Sequence, residues 1–338
     1  MKHFPTGLVL LLTVCATLVR AGAPTPEPSS SGRMFAAVLL VRGSVVGNST
    51  GGFGLYVRSA ASDTSWTKIT KGNIISFGMG LFDNGRTRRH YLAGGNGLHR
   101  STDGGATWKI ITSWRTEEIL GVVPDPVDSA VIYVATPFGV FKTVDDGLTW
   151  NKKMKGITPW YIQRVIMDPR DRMVLYAAGE SDLFRTTDAG ESWRPMGSGS
   201  RNILAVLQHP VRRDIFLVGG EEAGLRRTTD GGATWSAVRG LEGTSVYTLR
   251  ASGDGRALYA AGWQTGVWRS TDDGASWEQL WKGPDAEAMY SLFVDPADPA
   301  HLMAGSVAKG LFESRDGGAH WKYAGLNGAQ VKQIEIYP

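Results

Sequence analysis

Short apolar runs, separated by turn residues, recur along the chain at a nearly fixed interval. Residues 202–238 show the unit. Asn202–Gln208 (NILAVLQ) is an apolar run of strand length, and His209-Pro210 opens a turn. Ile215–Gly219 (IFLVG) is a second run, Gly224–Thr228 a third and Thr234–Val238 a fourth. Runs this short between turn residues read as strands. Tryptophans at 66, 108, 150, 193, 235, 277 and 321 mark the period, with spacings of 42, 42, 43, 42, 42 and 44. Such regularity belongs to a solenoid or a propeller, and four short strands per period make a propeller blade. The period leaves no room for a crossover helix, so the strands are antiparallel.

Innermost strands are predicted near residues 73–79, 118–123, 161–167, 202–208, 245–250, 289–294 and 331–336, which makes seven. The first blade starts at Met34–Val41 (MFAAVLLV), which aligns with second strands such as Met173–Ala178. That blade therefore lacks an innermost strand, and Val331–Ile336 is spare. The expected fold is all-β: a single seven-bladed β-propeller of four-stranded antiparallel blades over residues 34–338. The C-terminal strand should complete the first blade, closing the ring and removing sheet edges that would pair with other chains.

One motif recurs in frame, S/T-x-D-x-G-x-T/S-W. Six copies carry Asp103 with Trp108, Asp145 with Trp150, Asp188 with Trp193, Asp230 with Trp235, Asp272 with Trp277, and Asp316 with Trp321. A seventh stretch, Gly54 to Thr67, keeps Trp66 but has Ala61 where the aspartate belongs. The aspartate can accept backbone N–H groups in the turn between third and fourth strands. The glycine two residues on supplies a φ that other residues resist, and the indole should pack on neighbouring strands. A carboxylate repeated six times around a ring is a structural device, not one active site. Neither a metal site nor a cofactor is expected. Asp125-Pro126, Asp168-Pro169 and Asp295-Pro296, with His209-Pro210 in the same slot, read as turns between first and second strands.

The motif resembles the Asp-box, or bacterial neuraminidase repeat, of sialidases, two-propeller xyloglucanases, sortilin-type receptors and photosystem II assembly factors. The resemblance covers residues 34–338. For a sialidase it implies an arginine triad, a Tyr/Glu pair and an acid aspartate, with the first arginine in Arg-Ile-Pro. Here the corresponding region reads Gly32-Arg33-Met34-Phe35, and Arg-Ile-Pro occurs nowhere. Xyloglucanase-like enzymes set carboxylates across a cleft between two propellers, whereas the repeats here make one ring. The photosystem assembly factors share the single seven-bladed ring, but their Gly-Trp-x-x-Gly second strand is replaced by Tyr176-AAG, Phe216-LVG and Tyr259-AAG. These strands and their Asp-Pro turns look more like the xyloglucanase and sortilin type.

Strand alternation puts the Asp-boxes and Asp-Pro turns on one face. Ligands of propellers usually meet the other. Its loops are expected to hold Trp114, Trp160, Trp263 and Trp281, with Tyr161 beside them and Tyr247 and Tyr290 just inside the next strands. Arg115, Arg201, Gln264, Glu180, Glu221 and Glu222 are among the polar neighbours. Aromatic faces beside carboxylates and arginines suit a glycan or a peptide segment. Aligned innermost strands place Ser76, Gly121, Arg164, Ala205, Thr248, Ser291 and Gln333 at one level, where Arg164 would be the lone cation and could hold an anionic group. A glycosidase would need two carboxyls about 5–9 Å apart. The available acids are Glu117 or Glu118 with Glu242, and Asp285 with Glu287. The sequence therefore reads as a non-catalytic binding scaffold for a glycan or protein partner. A glycoside hydrolase and an assembly factor for a membrane complex are the alternatives.

Composition narrows this further. Glycine numbers 44 in 338 residues, nearly twice the usual ~7%, as many tight turns require. Cys15 is the single cysteine, so the body of the protein has no disulfide framework, thiolate metal cluster or cysteine nucleophile. Residues 1–21 read as a signal peptide: Lys2 precedes the apolar stretch Gly7–Val19, too short to span a bilayer. Val19-Arg20-Ala21 sets cleavage after Ala21, or after Ala23. Bulky Val14 disfavours a lipoprotein reading at Cys15. Residues 22–33 form a Pro/Ser-rich linker expected to be disordered. The expected location is secreted or periplasmic. Losing Lys2 and Arg20 lowers the formal charge from +4 to +2, and no basic footprint for nucleic acid remains. No other segment reads as membrane-spanning, and a monomer is expected.

Overall fold

The computed structural model describes residues 33–40, 52–58, 64–113, 116 and 118–337. The signal peptide and all but the last residue of the linker lie outside them. Seven four-stranded antiparallel sheets make up the described residues, and no helix is found among them. Blade 1 contains Arg33–Leu40, Gly54–Arg58, Thr67–Lys68 and Ala329–Tyr337. Blades 2 to 7 begin with the innermost strands Ser76–Asp83, Gly121–Pro124, Ile162–Asp168, Ile203–Gln208, Ser245–Ala251 and Met289–Val294. The ring closes as the repeats require. Arg33 pairs with Tyr337, Phe35 with Glu335 and Leu40 with Ala329.

In blade 2 the innermost strand runs over Ser76–Asp83 instead of 73–79. The cause is local: the Ile74 N–H donates to the Phe53 carbonyl and the Ile75 carbonyl accepts from the Gly95 N–H. The Ile74 N–H is thereby spent on blade 1, and the Ile75 carbonyl on the residue just past the second strand of its own blade.

Apolar clusters fill each space between neighbouring blades. Between blades 3 and 4, Val123, Tyr133 and Ala135 meet Val165, Leu175, Ala177 and Phe184, all buried. The wedge narrows toward the axis, so small residues are needed there. A Cβ on Gly219 would come within 2.6 Å of the Val246 side chain.

The repeated aspartates organise the turns. Asp230 accepts from the Thr234 N–H at 2.9 Å, the Thr234 hydroxyl at 2.6 Å and the Thr228 hydroxyl at 2.7 Å. The Thr228 oxygen in turn accepts the Gly232 N–H at 3.0 Å. The same pattern, led by the Thr107 hydroxyl, brings Asp103 down to about 2. In the last copy, the ring nitrogen Nδ1 of His320 takes the hydroxyl's place on Asp316. The indole N–H groups of Trp150, Trp193 and Trp235 reach back to carbonyls of the preceding blade, at Ile111, Lys153 and Met196. Trp66 makes the same contact across the closure, to Ala324. Trp108, Trp277 and Trp321 instead bond the glycine carbonyl of their own turn.

Asp125, Asp168 and Asp295 each accept a backbone N–H two residues on. His209 does so with Nδ1, which accepts from Val211 and Arg212 and must therefore be unprotonated. Burial lowers the His209 pKa in keeping with that role. Arg89, at the first-to-second strand turn of blade 2, pairs with Asp146 in the Asp turn of blade 3 at 2.6 Å. Contacts of this kind place both sets of turns on one face.

Candidate functional site

On the opposite face, the innermost strands share a defect that the repeat period conceals. In every blade but the third, the innermost strand pairs with its second strand through a one-residue register shift: between Ser76 and Gly78, Ile162 and Arg164, Ile203 and Ala205, Val246 and Thr248, and Met289 and Ser291. The closing strand shifts between Val331 and Gln333. A bulge leaves one residue out of the ladder and re-aims its side chain. The residues left out are Phe77, Gln163, Leu204, Tyr247, Tyr290 and Lys332. Leu120 stands at the same level in blade 3, its N–H donating to Ala135. Together they ring the channel near its mouth.

The level one residue further on is the one read from sequence, with Gly78 in place of Ser76. In the blades where hydrogen bonds define its direction, it faces the neighbouring blade and not the axis. Ser291 Oγ donates to the Val331 carbonyl at 2.9 Å. Gln333 both accepts from the Met79 N–H and donates to the Met79 carbonyl. Arg164, half-buried, belongs to this level.

Three ring members from adjacent blades form a column. Tyr247 and Tyr290 stack with centroids 4.9 Å apart and planes 19° apart. Lys332 Nζ sits 3.5 Å from the Tyr290 centroid. Burial, joined by the like charge of Arg164, brings Lys332 down to about 8. Burial raises both phenols, with Glu221 acting in the same direction. Beside the column, Tyr161, Gln163, Glu180, Asn202, Leu204 and Glu221 line a cavity of about 250 Å³. Burial raises the Tyr161 phenol, and the carboxylates of Glu118, Glu180 and Glu221 push it further. Glu118 and Asn202 hold their loops with φ of 49° and 46°, a region that side chains other than glycine seldom enter.

The remaining candidates are spread out. Trp114, Arg115 and Glu117 lie outside the described residues. Trp160 is 60% exposed with Lys152 Nζ 4.7 Å from its ring, and Arg201 is exposed in the next blade's approach loop. Trp263 ends the strand Leu258–Trp263 and is 43% exposed. Gln264 and Glu287 border a separate cavity of about 360 Å³ with Gln279 and Lys282.

Trp281 is not in a loop. It ends the strand Glu278–Trp281 and stacks on Trp321 at 4.8 Å, with Phe312 against its edge. Its ring belongs to the packing between blades 6 and 7.

Among the acids, Glu242 accepts the N–H of Gly240 in its own turn at 2.7 Å, and Asp285 pairs with Lys309 at 3.0 Å. Glu118 is thus the one described member of the expected acid set whose charge acts on Tyr161, together with Glu180 and Glu221 of the cavity lining. A wider groove of about 630 Å³ lies between the outer strands of blades 2 and 3, but its Asp145 and Trp150 are committed to their turn. No group of three or more His, Cys, Asp or Glu among the described residues could hold a metal ion, and no described helix is long and apolar enough to cross a membrane.

No protein-family model matches the sequence, and no curated protein matches it significantly. Solved structures do match in fold. The GH74 xyloglucanase from Xanthomonas campestris superposes with a TM-score of 0.60 at 20% identity, over 73% of this chain and 45% of that one. An ancestral GH74 enzyme gives 0.61 at 18% identity, over 78% and 38%. YCF48 bound to D1 peptide gives 0.55 at 17% identity, over 72% and 80%. The chain spans less than half the length of either GH74 enzyme. At these identities the likeness is one of fold: a seven-bladed β-propeller shared with glycoside hydrolases and with a peptide-bound propeller protein.

Proposed function

We propose that the protein is a non-catalytic binding scaffold of the Asp-box type, acting outside the cytoplasm. Its recognition surface is the channel mouth opposite the Asp turns. The ligand is a glycan chain laid across Trp160 and Tyr161, with its hydroxyls on Gln163, Glu180, Asn202 and Glu221. One observation carries this reading: Phe138, Trp160, Tyr161 and Trp263 are all exposed, and all lie on the face that carries the bulge ring. Flat apolar rings beside amide and carboxylate acceptors match the two sides of a pyranose, one C–H-rich and one hydroxyl-rich. Against hydrolysis, two of the expected acids are occupied elsewhere, Glu242 in its own turn and Asp285 on Lys309.

A second reading is a holder of a protein segment. It is favoured by the 80% coverage of YCF48, whose structure is described as bound to D1 peptide. A glycan array run beside a peptide array, with fluorogenic glycosides as turnover controls, separates the readings. The glycan reading expects array binding that falls at least about ten-fold in Trp160→Ala/Tyr161→Ala, equivalent to about 1.4 kcal/mol. Binding to peptides alone would favour the second reading. Glycoside turnover abolished by Glu180→Gln or Glu221→Gln would overturn both.

A further inference from the structure

The mouth of the channel is not uniform around the ring, and the difference is one of charge. On the mouth side of each bulge, the first rung pairs Ile162 with Gly179 in blade 4 and Ile203 with Gly220 in blade 5. The next residue of the second strand stands at the rim: Glu180 in blade 4 and Glu221 in blade 5. The same position in the other blades holds Leu39, Gly95, Pro137, Trp263 and Val307, none of them charged. The two acids are thus neighbours on the ring, and the main chain fixes them there. The Asn202 N–H donates to the Glu180 carbonyl at 2.8 Å, and the Glu221 N–H donates to the Asn202 carbonyl at 3.1 Å. Both glutamates border the cavity of about 250 Å³, together with Tyr161, Gln163, Asn202 and Leu204. Arg164 and Arg201 adjoin Gln163 and Asn202 in sequence but are not part of the lining, which holds no cation. Glu191, Glu278 and Glu335 each meet a lysine or arginine, whereas neither rim glutamate is in an ion pair among the described residues. Glu118 adds a third negative charge that acts on Tyr161.

Two ionised carboxylates on one small cavity repel each other. A neutral sugar ring that filled the cavity would strip water from both and return only hydrogen bonds of ordinary strength. A ring carrying an ammonium would meet them through charge-assisted bonds, about twice as strong as neutral ones. We infer that the cavity takes an amino sugar, a hexosamine whose nitrogen is free and protonated, with the ammonium between Glu180 and Glu221 and ring hydroxyls on Gln163 and Asn202. The exposed ring of Tyr161 favours the same cation. An N-acetylated sugar brings no charge to the carboxylates and adds an acyl group to a cavity already small for a sugar. The inference rests on the glycan reading above and narrows it to one class of sugar.

The test titrates the full chain by calorimetry at pH 6 with two β-linked tetramers, one of glucosamine and one of glucose, which differ by an amine against a hydroxyl on each ring. The glucosamine tetramer should bind at least about ten-fold tighter. Glu180→Gln and Glu221→Gln should each remove most of that preference and change the affinity for the glucose tetramer far less. Tetralysine serves as the charge control and should bind more weakly than the glucosamine tetramer. Equal affinity for the two tetramers overturns the inference and leaves the glycan reading standing. A preference that survives in both variants overturns it too, because the ammonium would then lie elsewhere. Tetralysine binding as tightly as the glucosamine tetramer also overturns it, since charge alone would suffice, and favours the protein-segment reading. Absence of sugar binding both here and on the array overturns the inference and the glycan reading together. Should a variant fail to fold, the ratio of the two tetramers and the tetralysine control on the natural chain decide.

Discussion

Arg58 of the first blade and Glu313 of the last face each other at 3.5 Å, both almost shut off from solvent. Around them, Arg315 approaches Glu313 at 2.7 Å, and His301 stands 3.0 Å from both Glu313 and Asp295, one through each ring nitrogen. A neutral imidazole has a single N–H, so two carboxylate contacts require the imidazolium. The seam of the ring is therefore held by an ionic cluster as well as by a strand ladder. Glu313→Gln should destabilise the protein by about 3–5 kcal/mol, because it strips the counter-charge from buried cations. Denaturant unfolding of the full chain measures this, and a loss below about 1 kcal/mol would mean that the cluster is mere packing.

The same cluster predicts a response to alkali. Burial works against the His301 charge, but the hydrogen bonds to Asp295 and Glu313 raise its pKa above 6.5. A raised histidine pKa contributes stability that is fully present below pH 6.5 and is lost as pH climbs through the raised value. Stability measured upward from pH 6 should fall more steeply in the natural chain than in His301→Gln. Parallel curves would refute the assignment.

Acid should act at a different histidine. His90 is packed against Phe35 and Tyr337 at ring distances of 5.7 Å each. Burial, followed by the charge of Arg88, pushes it down to about 4. Its contribution is present above pH 6.5 and is lost as pH falls from 6.5 to 4, roughly 3 kcal/mol in all. His90→Phe should flatten the stability curve over that interval.

Deleting residues 329–338 removes the innermost strand of blade 1 and bares the edge of Arg33–Leu40. An exposed, apolar edge pairs with other chains. The truncated protein should elute as aggregates in size-exclusion chromatography, and a synthetic peptide of residues 329–338 should restore part of the monomer. A truncated protein that stays monomeric and folded would count against closure by this strand.

The Asp turns should tolerate change one at a time. Asp103→Ala, Asp188→Ala and Asp230→Ala each remove the same three hydrogen bonds to the carboxylate. Small and similar drops in Tm are expected, with ligand binding at the channel mouth unaffected. Chelators should leave Tm unchanged.

The tryptophan period was enough to count the blades, and the alignment of Met34–Val41 with second strands was enough to foresee the seam. Periodicity failed where strands departed from a regular ladder. The innermost strand of blade 2 starts later than its period suggests, so Gly78 and not Ser76 stands level with Arg164. A bulge shifts facing by one residue, so the cation of the bulge ring is Lys332, beside the Gln333 that aligns with Arg164. A further register shift, between Val267 and Trp268, carries the outer strand of blade 6 on to Trp281, which had read as a loop residue. The clustering of Glu118, Glu180 and Glu221 around Tyr161 was beyond reach for another reason. Their loops come from three blades, and no period fixes how loops lean. Tyr247 and Tyr290 gave the one available hint, two aromatics 43 residues apart at the same phase of the repeat.

Closing a circle with two antiparallel strands has a mechanical side. Arg33 and Tyr337 are partners at one end of the same ladder, so tension applied between them would open it rung by rung, like a zipper, instead of shearing all the rungs at once. Anything that tugged on the two ends together would meet little resistance at the seam, however firmly the other blades held.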